Sequence, residues 1–286
     1  MSRQKLIEKA MEILFLICAL TSIIAVLLIC IFLFANGVPA MSKIGVFNFL
    51  LGTKWTPQDI PASFGIFPMI LGSIYVTAGA IIIGVPIGIL TSVFMAKMCP
   101  KPLYKILKPA VELLAGIPSI VYGFFGLVLL VPLIRETFGG KGTSMLTASI
   151  LLGIMILPTI IGVSESSIRA VPDSYYEGAL ALGATHERAV FFTVLPAAKS
   201  GILAGVVLGI GRAIGETMAV IMVAGNQPRM PAGILKGVRT MTANIVIEMG
   251  YAADLHREAL IATGVVLFVF ILIINLAFSL LKRKVD

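Results

Sequence analysis

The sequence predicts an all-α, polytopic membrane fold with about six spanning helices. Three observations lead there. Of the 286 residues, 58% are hydrophobic and only 13% are charged, roughly half the charged share of an ordinary soluble domain. Apolar runs of about 20 residues, the length needed to cross a bilayer, recur along the whole chain. The 28 glycines and 15 prolines are better tolerated in membrane helices than in soluble ones. Lipid solvates the outer faces of such a chain, where water would not.

The spans are expected in order. The first is the uncharged run Ile13 to Ala35. The second runs from Ile66 to Ala96, long enough to tilt or to carry an interfacial turn. The third covers Leu113 to Ile134 and the fourth Ser144 to Ser164. The fifth extends from Gly201 to Gly225 and contains Arg212 and Glu216. The sixth is Ala259 to Leu281. Pro86, Pro118 and Pro158 interrupt spans two, three and four and predict kinks. Together these form one transmembrane domain over residues 1–286.

Six spans place both termini on one side. Lys97, Lys101, Lys105 and Lys108 crowd one short connection that holds no acid, so the positive-inside rule predicts cytoplasmic termini. The +8 formal charge is thereby read as membrane orientation, and no nucleic-acid partner is expected. The N-terminal apolar run is too long for a cleavable signal peptide and ends in no small-residue cleavage motif. Cys18, Cys30 and Cys99 lack metal-ligand spacing and read as free thiols. His186 and His256 read as isolated, solvated histidines. Gly139-Gly140-Lys141-Gly142 lacks the upstream glycine and the hydroxyl residue of a phosphate loop. No metal or cofactor is expected.

The expected connections Asn36–Gly65 and Asn226–Glu258 lie outside, and the first carries the single tryptophan, Trp55. The expected inner connection Glu165–Ser200 is structured. Val171-Pro172-Asp173 is a helix start, and Gly183 is placed to end that helix. A second helix is expected over Thr185 to Leu195. Such a segment serves either as a docking site or as an interfacial helix on lipid headgroups.

Arg212 and Glu216 carry the most information. A charge at mid-membrane costs roughly 2.5–3.5 kcal/mol on the lenient insertion scale. At a spacing of four the two share a helix face and are expected to pair. Gly201, Gly205, Gly209 and Ala219 fall on that face as well, so it is expected to pack against protein. A guanidinium fork suits an oxyanion such as phosphate. The alternative is a buried salt bridge that merely joins helices.

The inner segment also resembles the EAA signature of ABC importer permeases. Glu177-Gly178-Ala179, then Gly183 after three residues, then Leu195-Pro196 keep the spacing. Gly178 stands where alanine is usual and Thr193 where isoleucine is usual. The string Gly209-Ile-Gly-Arg-Ala-Ile-Gly-Glu-Thr-Met-Ala-Val220, continued through Val223-Ala-Gly-Asn226, is similar to phosphate-specific permeases of the PstC type. So is Trp55-Thr56-Pro57 with Phe64-Gly65-Ile66.

This resemblance spans nearly the whole chain and implies the type I ABC importer permease fold. It implies a non-enzymatic permease that imports inorganic phosphate by alternating access. The implied assembly holds a second permease of the PstA type, an ATPase dimer and an extracytoplasmic phosphate-binding protein, set in membrane lipid. Arg212, Glu216 and Thr217 would line the substrate path. Glu177, Gly178, Ala179, Gly183, Leu195 and Pro196 would form the coupling element for the ATPase. Rival readings are a permease for sulfate or molybdate and an ion-coupled secondary transporter. The latter needs intramembrane coupling carboxylates and repeats, and only Glu216 is plainly intramembrane.

Overall fold

The computed structural model describes residues 3–283. The uncharged run around residues 13–35 forms the middle of α1 (Arg3–Ile44). At 1.5 Å per residue its 42 residues extend about 63 Å, twice the hydrocarbon thickness, so both ends project from the bilayer. Its apolar side chains face outward along most of its length, as lipid solvation allows. A short helix, α2 (Val46–Leu51), and a two-residue strand pair follow. In that pair β1 (Trp55–Thr56) lies antiparallel to β2 (Ser63–Phe64). The strands are a small addition to an otherwise helical chain.

The second span, α3 (Phe67–Val93), continues through a π-helical turn at Phe94–Met98. Pro86 lies inside it without breaking it. The third span differs from the expected 113–134. Pro118 disfavours helical backbone at the residue before it, and Ile117 is extended, with ψ 126°. One helix, α4 (Lys101–Gly116), therefore ends there, and a new one begins at Ser119. The span proper is α5 (Ser119–Phe125), a π turn at Gly126–Leu130 and α6 (Val131–Phe138). Helix α4 keeps its lysines on one side and exposes Leu103, Ile106 and Leu113 on another. It has the sidedness of a helix lying along a membrane surface.

The fourth span, α7 (Met145–Arg169), is the most buried of all and runs five residues past the expected end. It lies between α3 and α11 (Lys199–Gly215). Glycines on both neighbours set the distances. A Cβ at Gly84 would come within 2.8 Å of the Gly153 carbonyl oxygen of α7, and one at Gly88 within 2.8 Å of Ile160. On the other side, Cβ atoms at Gly201 and Gly209 would meet Ser167 and Ile160 at 2.2 and 2.9 Å. Small residues at such spacing bring helix backbones together where no hydrophobic effect does so. Ile160, fully buried, is held between Gly88 and Gly209. The glycine stripe of the fifth span thus packs on protein, as its periodicity indicates.

The segment between α7 and α11 holds α8 (Asp173–Ala181), α9 (His186–Ala189), a π turn at Val190–Val194 and α10 (Leu195–Ala197). The stretch from His186 to Ala197 bends by 71° into α11. The fifth span itself is not one helix over residues 201–225. It stops at Gly215 and restarts as α12 (Met218–Val223).

The expected loop Asn226–Glu258 contains a buried helix, α13 (Met241–Met249). Its irregular first part caps α7: the Met145 and Leu146 N–H groups donate to the carbonyls of Lys236 and Ile234. These are orphan donors of a helix start that need partners. The last helix, α14 (Asp254–Arg283), runs antiparallel to α1, with Phe34 and Phe268 edge to face at 6.0 Å.

Gly88→Ala is expected to cost about 1–3 kcal/mol by overpacking Ile160, whereas Gly162→Ala, at a glycine with open space beside it, leaves stability unchanged. The melting temperature of the purified protein in detergent checks both.

Candidate functional site

The centre of interest is the break between α11 and α12. Glu216 follows the last residue of α11 with extended backbone (φ −67°, ψ 131°). Its Oε1 accepts the Ala219 N–H at 3.1 Å, so the carboxylate caps the restarted helix. Its carbonyl oxygen accepts the Thr242 hydroxyl of α13 at 3.1 Å. The Thr217 hydroxyl donates to the Gly215 carbonyl at 3.1 Å. Backbone groups freed by a broken membrane helix need such partners.

This geometry corrects one expectation. Arg212 and Glu216 do not share a helix face, because the helix ends between them. Among the described residues Arg212 makes no ion pair. Its Nη1 donates to Thr159 Oγ1 of α7 at 3.3 Å. Thirteen residues from the start of α11, Arg212 lies about 20 Å along the helix. The guanidinium is therefore deep in a spanning helix without a carboxylate. Beside it, Gly211 and Gly215 face open space, and Leu208 and Met218 are exposed. The arginine sits at the edge between the face packed on α7 and a face left free.

Two buried carboxylates, both missed from sequence, close the two ends of the bundle. Glu165 of α7 has 1% of its side chain exposed. It accepts from Tyr104 at 2.6 Å, from Lys108 at 2.9 Å and from Arg169 at 2.8 Å. Arg169 also donates to the Met95 carbonyl and lies 4.5 Å from the Tyr104 ring. The cluster fastens α4 and the end of α3 to α7. The hydrogen bond to Glu165 holds both the Tyr104 hydroxyl and the Lys108 ammonium above their ordinary pKa ranges. Both contacts favour the protonated donor.

Glu248 of α13 does the same at the opposite end. It accepts from the Trp55 indole at 2.8 Å, from Arg239, and bonds His256 Nε2 at 2.8 Å. Arg239 also donates to the Asn226 carbonyl and to Asn244, each at 3.0 Å. His256 is therefore a bonded, half-buried residue and not a solvated one. His186 likewise bonds Tyr176 at 2.6 Å. The signal was hard to find because Trp55 and Glu248 stand 193 residues apart.

The first helix of the inner segment starts and stops where Pro172 and Gly183 predict. Pro172 precedes α8, and Gly183 ends it with φ +85°, a left-handed conformation that glycine adopts without strain. Thr185 caps α9 by accepting the Arg188 N–H. No residue of α8 is buried. Glu177 and Gly178 are exposed, Ala179 is half-buried, and Leu182 is 92% exposed at the tip. Leu195 packs partly against the cluster formed by Val93, Ile168, Val190 and Val194, while Pro196 faces out.

A family model described as binding-protein-dependent transport system inner membrane component matches residues 84–286. The probable ABC transporter permease protein YqgH of Bacillus subtilis (strain 168) is 39% identical over 277 residues, covering 94% of this chain and 89% of the relative. The phosphate transport system permease protein PstC of Mesorhizobium japonicum is 37% identical over 277 residues, covering 89% and 84%. Among solved structures, a bacterial alginate ABC transporter in complex with an alginate pentasaccharide-bound periplasmic protein aligns with a TM-score of 0.69. It is 16% identical and covers 97% of this chain and 96% of that one. The MetNI methionine ABC transporter in an inward-facing conformation gives 0.63 at 20% identity, covering 77% and 96%. The fold is that of type I ABC importer permeases.

Glu248→Ala leaves Arg239 buried without its carboxylate, and a loss of about 3–5 kcal/mol is expected. The paired change Arg239→Met with Glu248→Leu recovers part of it. Thermal unfolding of the purified protein measures both.

Proposed function

The chain belongs to the family of binding-protein-dependent transport system inner membrane components, and we propose that it conducts inorganic phosphate into the cytoplasm. Membership makes it a multi-pass inner-membrane subunit without catalytic activity of its own, working with an ATPase and a substrate-binding protein. The finer reading follows from the break in the fifth span.

One observation carries it: Arg212 stands deep in a spanning helix, partly buried, and pairs with no carboxylate among the described residues. A cation at membrane depth without a counter-ion is costly, and a passing oxyanion supplies that counter-ion. The guanidinium offers parallel donors to two oxygens of a tetrahedral anion. The Thr159 hydroxyl fixes one edge of the fork and leaves the rest free. Thr217 and Glu216 flank the same break. The relatives named as phosphate permeases, at 32–37% identity, support phosphate over sulfate or molybdate as cargo.

The proposed assembly places a second permease of the PstA type against the free face of α11. Half a path on each subunit then encloses the anion. The four lysines between Lys97 and Lys108 put that connection, and both termini, in the cytoplasm. Helix α8 is then the element that meets the ATPase dimer. It has no buried residue and carries an apolar tip at Leu182, which suits insertion into a partner's cleft. Closure of the ATPase dimer around ATP moves α8, and the bend at Ala198 transmits that motion into α11. The opposite face, fastened by Glu248, receives phosphate from the extracytoplasmic phosphate-binding protein. Glu177, Gly178, Ala179, Gly183, Leu195 and Pro196 shape and seat the coupling element.

Arg212→Gln is expected to lower phosphate uptake by about tenfold or more, the loss of a charge-assisted hydrogen bond, with the complex still assembled. Normal uptake of labelled phosphate by cells carrying the variant would sink the arginine reading. Gly183→Val, which forces a β-branched residue to positive φ, is expected to reduce co-purification of the ATPase while the permease remains in the membrane. Unchanged co-purification would count against α8 as the dock.

A further inference from the structure

We infer that Glu216 makes this path selective for oxyanions that retain an acidic hydroxyl, and so excludes fully deprotonated ones such as sulfate and molybdate. The inference rests on the reading of Arg212 as the anion site and adds the basis of its specificity.

Glu216 is an unusual group to find beside an anion path. Ionised, a carboxylate only accepts hydrogen bonds. Oε1 accepts the Ala219 N–H at 3.1 Å. Oε2 accepts nothing among the described residues, and no Lys or Arg among them pairs with the carboxylate. Oε2 is not sealed in the protein either, since it is absent from the buried polar atoms that lack a partner. One oxygen is thus tethered to the start of α12 and the other is free.

The break in the helix is what creates this arrangement. In a continuous helix Glu216 would lie one turn above Arg212 and neutralise it. Extended backbone at Glu216 (φ −67°, ψ 131°) removes it from that position, and the Thr242 hydroxyl holds its carbonyl in place. The cation and the anion remain neighbours along the chain but are left to different partners. Arg212 takes oxyanion oxygens. Glu216 has acceptor capacity only.

Glu216 follows Arg212 by only four residues, so an anion seated on the guanidinium comes up to the break that holds that carboxylate. If it carries no proton, it faces repulsion with no compensating bond. If it carries a P–OH or As–OH group, it donates to Oε2 and the repulsion becomes a charge-assisted hydrogen bond. Phosphate retains at least one hydroxyl proton throughout the physiological range, and arsenate does likewise. Sulfate and molybdate do not. A site built to hydrogen-bond a substrate hydroxyl rejects the analogue lacking it far more strongly than an apolar pocket rejects a change in size. No bond is made or broken, and the proton stays with the anion.

The test uses the assembled importer, both permeases with the ATPase, purified without its binding protein so that the binding protein's own selectivity is absent. Binding of labelled inorganic phosphate is measured, with arsenate, sulfate and molybdate as competitors. For the wild type, arsenate is expected to compete within a few-fold of phosphate, and sulfate and molybdate at least about a hundredfold less well. Glu216→Gln keeps an oxygen for the Ala219 N–H and gains an N–H₂ donor, so sulfate should then compete to within about tenfold of phosphate. Glu216→Asp, which retains the carboxylate, should keep sulfate excluded. Arg212→Gln should bind no phosphate. Sulfate exclusion unchanged in Glu216→Gln, with binding lost in Arg212→Gln, overturns this inference alone. Phosphate binding retained in Arg212→Gln overturns the arginine reading and this inference with it.

Discussion

The structure depends on how closely α7 is approached from both sides. In a bilayer no hydrophobic effect gathers helices, so van der Waals contact must do it, and glycine is the residue that permits such contact. Gly84 and Gly88 bring α3 onto α7, and Gly201, Gly205 and Gly209 bring α11 onto it. Ile160 is the shared knob, touched through Gly88 on one side and Gly209 on the other. The register follows directly. Thr159 precedes Ile160, and Arg212 follows Gly209 by one turn, so the packing that seats Ile160 also sets the guanidinium against the Thr159 hydroxyl. A single bulky residue in either stripe would shift the arginine along with the helix.

Around this core the chain distributes its charges by function. Glu165 and Glu248 are buried, and each is surrounded by donors from distant parts of the sequence. Pairs and triads of this kind define which elements meet, more than they add stability. One fastens α4 and the end of α3 to α7. The other joins both connections of the opposite face to α14. Arg212 and Glu216, between these ends, are left unpaired with each other. Paired charges thus hold the ends, while in the middle Arg212 and Glu216 make no ion pair among the described residues. The π turns at Phe94–Met98, Gly126–Leu130 and Val190–Val194, with the 71° bend before α11, are the irregular points of the bundle.

Much of this was legible in the sequence because apolar runs and glycine spacing are local signals. The membrane class, the stripe of the fifth span and the start and stop of α8 all follow from neighbouring residues. The third span was displaced because hydropathy does not register the constraint that Pro118 places on Ile117. The broken fifth span was invisible for a related reason. Residues 209–220 have good helical periodicity, and the break is stabilised by Thr242 of α13, which the linear sequence gives no reason to place nearby. The Glu248 cluster joins Trp55, Arg239 and His256 across the fold, so a reading by proximity left His256 solvated. The residue types at the site were readable, while their pairing was a tertiary fact.

The central claim is that Arg212 serves the substrate and not the fold. A structure of the assembled importer with phosphate in its path tests it most directly. The account predicts phosphate within hydrogen-bonding distance of the Arg212 guanidinium, with the Thr159 contact retained. A guanidinium paired instead with a carboxylate of the second permease, and phosphate passing elsewhere, would contradict it.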